Sequence, residues 1–247
     1  MRHLTIVILI FCFTVRPALA QQDTTHLKSA EYSPSVWAWI VPSALVSYGI
    51  LTRLTPALQD VDKQIDRPFA KHFHRQYAFD DYILYTPILG VYGLDLCGVK
   101  AKHNFLDRTL VIGSASVMCA GVSFCGKEWI DVRRPDGSEQ SFPSRHTAFA
   151  FMLSHILFRE YQDVSPWIGI AGYGIGATTG VMRMVNRRHW FSDVITGAGV
   201  GILSTELSYL LLPVWHKLLK IEPQTAGISL LPMVGSDQIG LGGVIRF

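Results

Sequence analysis

Charge is scarce in this 247-residue chain. Only 17% of its residues are Asp, Glu, Lys or Arg, against ~25% in soluble domains, which points toward a membrane protein. A 49% hydrophobic content excludes a disordered chain, which would be polar and highly charged. The 21 glycines and 12 prolines are near ordinary usage, which excludes collagen-like and low-complexity chains. A formal net charge of +3 is too small to suggest a nucleic-acid partner. Cysteine is also sparse, with four in the chain. No C-x-x-C occurs and no ligand cluster has metal-binding spacing, so neither a metal nor another cofactor is expected. Internal repeats and flexible linkers are missing as well, which leaves one main domain.

What is present begins with an export pattern. Met1–His3 is basic, Leu4–Val15 is apolar, and Ala18-Leu19-Ala20 supplies a small-residue cleavage site. Residues 1–20 therefore read as a signal peptide. Cleavage leaves Cys97, Cys119 and Cys125, an odd count that argues against a dense disulfide framework in an exported protein.

Residues 21–226 read as a helical domain. The apolar stretches Ser35–Leu51, Tyr82–Gly98, Thr109–Gly126, Pro166–Met182 and Val194–Trp215, with a helix from Ser144 to about Tyr161, predict an all-α, six-helix bundle embedded in a membrane. Pro42, Asp95, His155 and Glu206 interrupt these stretches and are expected to face the bundle interior. The polar stretch Asp60–Asp81, with Phe69, Phe73, Tyr77 and Phe79, fits a helix on the membrane surface or a solvated one. Residues 227–247 alternate apolar runs around Gly235-Ser236-Asp237, which predicts a short C-terminal β-hairpin tail.

Three polar clusters sit where the chain enters or leaves a predicted helix. In the third, His189 and Asp193 are four residues apart and would share a helix face. An Asp on one ring nitrogen fixes the tautomer and frees the other nitrogen to attack. Alone, H-x-x-x-D is mostly a helix-capping pair. In the second cluster, Ser144 is a candidate N-cap, and the helix start behind it favours an anion. His146 in that first turn could protonate a leaving oxygen, although a histidine at a helix start is ordinarily just exposed. Lys127, Arg134 and Arg183 complete a set of cations suited to a phosphoryl group. Basic residues also flank membrane spans on the cytoplasmic side, and Arg133, Arg187 and Arg188 fit that role better.

The spacings K-x6-R-P (Lys127, Arg134, Pro135), P-S-x-H (Pro143, Ser144, His146) and R-x5-H-x3-D (Arg183, His189, Asp193) occur in this order. With them the chain resembles the type-2 phosphatidic acid phosphatase and vanadium haloperoxidase superfamily. The resemblance implies a phosphatase that needs no metal. It implies His189 as the nucleophile forming a phosphohistidine, Asp193 as its orienting partner and His146 as the general acid. Lys127, Arg134, Arg183, Ser144 and the backbone near Arg145 would hold the phosphate. Two positions depart from the family pattern. Arg145 stands where glycine is usual, and Met182 stands where serine usually precedes the arginine of the third motif.

The expected substrate is a lipid phosphate at the periplasmic face of a bacterial envelope: phosphatidic acid, phosphatidylglycerol phosphate, undecaprenyl diphosphate or a lipid A phosphate. The alternatives are a soluble periplasmic acid phosphatase, a vanadate-dependent haloperoxidase, and a lipid-phosphate binder whose catalysis Arg145 has impaired. Six spans after a cleaved signal would put the motifs inside, so either Ser35–Leu51 does not cross fully, the signal is retained, or the chain does not span the membrane; outward motifs with an incomplete first span are the expectation. Lys100, Lys102, Lys217 and Lys220 fall on the side opposite the motifs, consistent with an outward site. The oligomeric state has no sign in the sequence.

Overall fold

A computed structural model describes residues 34–73, 75–221, 228–234 and 239–245. The predicted signal peptide lies outside the described residues, as does the Gly235-Ser236-Asp237 turn. The described chain is mostly helical. Its helices are α1 (Trp37–Leu54), α2 (Pro56–His72), α3 (Asp80–Ile83), α4 (Thr86–Leu96), α5 (Phe105–Trp129), α6 (Arg145–Tyr161), α7 (Pro166–Val185) and α8 (Phe191–Leu219). Strands β1 (Ile228–Val234) and β2 (Ile239–Ile245) pair antiparallel, with Ile228 opposite Ile245 and Val234 opposite Ile239.

Local signals explain most boundaries. Pro56 and Pro166 open α2 and α7 from the first helical turn, where proline's missing N–H costs nothing. Asn104 caps α5 by accepting from the Asp107 N–H at 2.9 Å. The apolar stretch Tyr82–Gly98 is not one helix as expected. It breaks into α3 and α4 around Leu84 and Tyr85, just ahead of Pro87 in the first turn of α4. The polar stretch Asp60–Asp81 also divides: its first half belongs to α2, which begins earlier at Pro56 and ends at His72.

Helix α8 is the axis of the bundle, packing against α1, α5, α6 and α7. The core gathers Val91 of α4, Val111, Ala115 and Cys119 of α5, Met152, Leu153 and Ile156 of α6, and Val200, Tyr209 and Leu212 of α8. Helices α6 and α8 approach closely. A Cβ on Gly197 would lie 2.5 Å from the Ser144 carbonyl oxygen, and one on Gly201 would lie 2.2 Å from that of Ala148. Only glycine fits at these two positions, one turn apart on α8. This contact sets the height of the α6 N-terminus against the α8 N-terminus, where two of the three motifs meet.

Candidate active site

The motif residues lie at helix ends on one end of the bundle. Lys127 is in the last turn of α5, His146 in the first turn of α6, Arg183 in the last turn of α7 and Asp193 in the first turn of α8. Arg134 and His189 are on the loops between. The Arg134 loop is shaped locally: Asp136 accepts from the Ser138 N–H at 2.9 Å and the Ser138 hydroxyl at 2.6 Å, and Arg134 N–H donates to the Ser138 carbonyl at 2.7 Å. Gly137 turns this loop at φ 89°, a conformation that favours glycine.

His189 is 3% exposed. Its Nδ1 lies 2.7 Å from the Ser141 carbonyl oxygen. A carbonyl only accepts, so Nδ1 carries the proton and, in the neutral ring, Nε2 holds the free lone pair. Asp193, the partner expected from the sequence, is an ion-pair neighbour of this ring rather than its hydrogen-bond acceptor. Its Oδ2 is 3.8 Å from Nδ1, and the two residues do not share a helix face, because α8 begins only at Phe191. Asp193 accepts instead from the Trp190 N–H at 2.9 Å, capping α8, and from the Ser141 hydroxyl at 2.5 Å. It thus fixes the residue whose carbonyl holds the ring. Burial keeps the His189 ring below the usual histidine range against the pull of Asp193, and Arg183 and Lys127 lower it further.

His146 faces a crowded field. Its Nε2 is 3.0 Å from Asp81 Oδ1. Burial pushes His146 down to about 4; Arg183 and His189 also lower it, while Asp81 and Asp80 raise it. Arg183 Nη1 donates to Asp80 Oδ2 at 2.6 Å and lies 3.4 Å from Asp81 Oδ1. Asn186 straps the α3 segment down: it accepts from the Tyr77 N–H, donates to the Tyr77 carbonyl, both at 2.8 Å, and donates to Asp80 at 3.0 Å.

The remaining predicted residues divide. Lys127 donates from Nζ to the Gln140 carbonyl at 2.5 Å and acts electrostatically with Arg134, Arg145 and Arg183. The buried Nε atoms of Arg134 and Arg183 have no hydrogen-bond partner. Ser144 occupies the N-cap position of α6, but its hydroxyl pairs with that of Thr147 at 2.9 Å rather than capping a backbone N–H. Arg145 is exposed and lines a cavity of about 270 Å³ with Leu84, Tyr85, Ala120, His146 and Phe149. Arg187 and Arg188 are used structurally, on Asp66 and the Pro135 carbonyl and on Gln76 and Asp136. Among the described residues no group of three or more His, Cys, Asp or Glu is placed to hold a metal ion.

Motif reading missed a support behind His189 and Asp193. Arg53 of α1 donates to Asp193 Oδ1 at 3.2 Å, contacts the Ser192 hydroxyl and lies 3.4 Å from Asp62 of α2. Asp62 accepts from the Ser192 N–H at 2.9 Å and its hydroxyl at 2.5 Å. Burial raises the Asp62 carboxyl despite these bonds. No spacing rule links residues 53 and 62 to residue 193.

A family model described as the PAP2 superfamily matches residues 66–217. The chain belongs to the PAP2 superfamily. All nine motif positions fall within the matched segment, whereas Arg53 and Asp62 lie before it. Among relatives of this PAP2 chain, the lipid A 1-phosphatase of Porphyromonas gingivalis is 35% identical over 158 residues, covering 63% of this chain and 35% of that protein. The chain thus spans about a third of the length of that curated relative. The crystal structure of Aquifex aeolicus LpxE has a TM-score of 0.44 at 18% identity, over 59% of this chain and 92% of that one. That of the first transmembrane PAP2 type phosphatidylglycerolphosphate phosphatase from Bacillus subtilis has a TM-score of 0.46 at 22% identity, over 74% and 98%.

Proposed function

We propose that this PAP2 chain is a phosphatase that hydrolyses a lipid phosphate through a phosphohistidine. The observation that carries the reading is His189, buried with Nδ1–H tied to the Ser141 carbonyl and Nε2 left as the nucleophilic nitrogen. In the first step Nε2 bonds to phosphorus, the P–O bond to the leaving group breaks, and His146 gives its proton to the leaving oxygen. In the second step water attacks the phosphohistidine, His146 takes the water's proton, and inorganic phosphate leaves. Lys127, Arg134 and Arg183 neutralise the phosphoryl oxygens, and the orphaned Nε donors of the two arginines suit that task. On this reading Ser144 and the backbone at Arg145, at the start of α6, also contact the phosphate. This route uses no metal.

A lipid substrate is supported by surface chemistry. Helix α5, of 25 residues, is long and apolar enough to cross a membrane and is largely uncovered; α8, of 29, passes the same test but is mostly buried as the bundle axis. Val117, Phe124 and Trp129 expose their side chains on α5, as do Leu89 and Leu96 on α4 and Trp167 and Ile170 on α7. A belt of this kind fits acyl chains. The cavity beside His146 is walled by Leu84, Ala120 and Phe149, which suits an apolar leaving group. The reading is completed by a leader over residues 1–20, a helical domain over 21–226 whose site faces the periplasm, and a hairpin tail over 227–247; the described residues of that domain form eight helices, not the six expected. The relative's name favours a lipid A 1-phosphate as the first substrate to try.

The test is phosphate release by purified protein in EDTA, comparing a long-chain lipid phosphate with a small soluble phosphomonoester. Release from the lipid, lost in His189→Ala, is the expected result. Equal or better release from the small ester would replace this reading with a soluble acid phosphatase.

A further inference from the structure

The acidic pair Asp80-Asp81 belongs to none of the three motifs, yet it faces the leaving-group side of the site. Asp80 is fully buried and is committed to Arg183 and Asn186. Asp81 is different. Its side chain is 50% exposed, and one oxygen, Oδ1, lies 3.0 Å from His146 Nε2 and 3.4 Å from Arg183 Nη1. It therefore bridges the proposed acid and one of the proposed phosphate ligands. The short helix carrying it is strapped to the end of α7 by Asn186, so its backbone is held in place.

We infer that Asp81 is a specificity-determining residue, selecting phosphate monoesters of uncharged alcohols or sugars against diphosphates. This inference rests on the phosphatase reading and has two physical grounds. The first is proton supply. An alkoxide is a poor leaving group and needs a proton as its P–O bond breaks, whereas the terminal phosphoryl of a diphosphate leaves a phosphate that is already a good leaving group. Burial and Arg183 hold His146 toward the neutral ring, and the Asp81 carboxylate opposes them, toward the protonated ring that an alcohol leaving group requires. The charged and titratable groups facing His146 are Asp80 and Asp81 from α3, Arg183 from α7 and His189 before α8. Of the two that favour the protonated ring, Asp81 makes the direct contact. The second ground is repulsion. A diphosphate brings its second anionic group to the leaving-group side, against the Asp81 carboxylate, while a neutral alcohol or sugar brings none.

The experiment uses the full chain in detergent micelles, with dodecyl phosphate and dodecyl diphosphate as substrates. Initial rates are taken before the monophosphate product of the diphosphate accumulates. Wild type is expected to prefer the monoester. Asp81→Asn should lower kcat/KM on the monoester and spare or raise it on the diphosphate, so that the ratio of the two falls by roughly tenfold. Asp81→Glu keeps the charge and should keep most of the ratio. The alkaline limb of the monoester pH profile should move to lower pH in Asp81→Asn. A parallel loss on both substrates would mean a merely structural role and overturn the inference, as would a rise in the monoester rate, which would mark Asp81 as an obstruction. Failure of wild type to release phosphate from either substrate would instead bring down the phosphatase reading beneath it.

Discussion

Two arginines at opposite ends of the bundle show how differently the same side chain can be used. Arg108, near the start of α5, is 1% exposed. Its Nη1 donates to the Val91 carbonyl at 2.6 Å, its Nη2 to Asp95 at 2.6 Å and its Nε to the Asn104 carbonyl at 3.4 Å. Every nitrogen of that guanidinium has an acceptor. Nearby, Glu160 accepts from His103 at 2.8 Å and from the Tyr209 hydroxyl at 2.5 Å, and His216 meets Asp107 at 2.6 Å. These ionic groups at that end are matched with one another, although the buried Trp215 Nε1 has no partner. At the motif end, Arg134 sits on a loop with its buried Nε unpartnered, and Arg183 also keeps an orphaned Nε. A buried donor without an acceptor is costly. At the motif end two such donors belong to the candidate phosphate-binding arginines, which marks these side chains as places for an anion, whereas the Arg108 guanidinium is fully matched and reads as structure.

Exchanging the test between the two ends should break the symmetry of a simple arginine-to-alanine change. Arg134→Ala should cut kcat/KM for lipid phosphate by about 10²–10³-fold. It should leave the thermal midpoint nearly unchanged, because the side chain makes no hydrogen bond that holds two helices together. Arg108→Ala should do the reverse. Removing it strands the Asp95 carboxylate and the Val91 carbonyl, for a loss of about 2 kcal/mol once the partial exposure of Asp95 is allowed for. Denaturant or thermal unfolding reads that loss, and the kcat/KM of the folded fraction should match wild type. If Arg108→Ala lost activity without losing stability, the division between the two ends would fail.

The smallest effect concerns protons. On the proposed route His189 must be neutral to attack, and its folded pKa is lowered from the ordinary 6.5. The neutral ring therefore survives to lower pH than in a free histidine, and the acidic limb of kcat/KM should fall below pH 6.5. A limb above 6.5 would mean that Asp193 outweighs burial and the two neighbouring cations.

The sequence made the candidate site's inventory legible but not its wiring. The three spacings named residues that the chain does bring to one end, because each motif ends or begins a helix and helix ends of a short bundle meet. The direct partner of His189 was not legible, since a backbone carbonyl leaves no mark in a residue pattern. Periodicity also misassigned the His189–Asp193 relation: a four-residue spacing suggests one helix face, but Asp193 caps Trp190 and starts the helix after His189. Arg53, Asp62, Asp80 and Asp81 escaped for a related reason. Their partners are about 65 to 140 residues away in sequence, and a single chain carries no periodic signal over that distance. The break between α3 and α4 was hidden because Leu84, Tyr85 and Pro87 fit an apolar run as well as they fit a turn.

The two glycines where α6 meets α8 have a consequence for how the pocket can adapt. With the Ser144 and Ala148 carbonyls lodged against Gly197 and Gly201, the helix starts bearing His146 and Asp193 behave as one block of masonry with no mortar joint to widen. Room for a bulkier head group has to come from the wall opposite. That wall is the α3 segment, hung on Asn186 and Arg183 by hydrogen bonds rather than seated backbone to backbone. New substrates in this lineage would be accommodated by rebuilding residues 77–85, while the α6–α8 seam stays as it is.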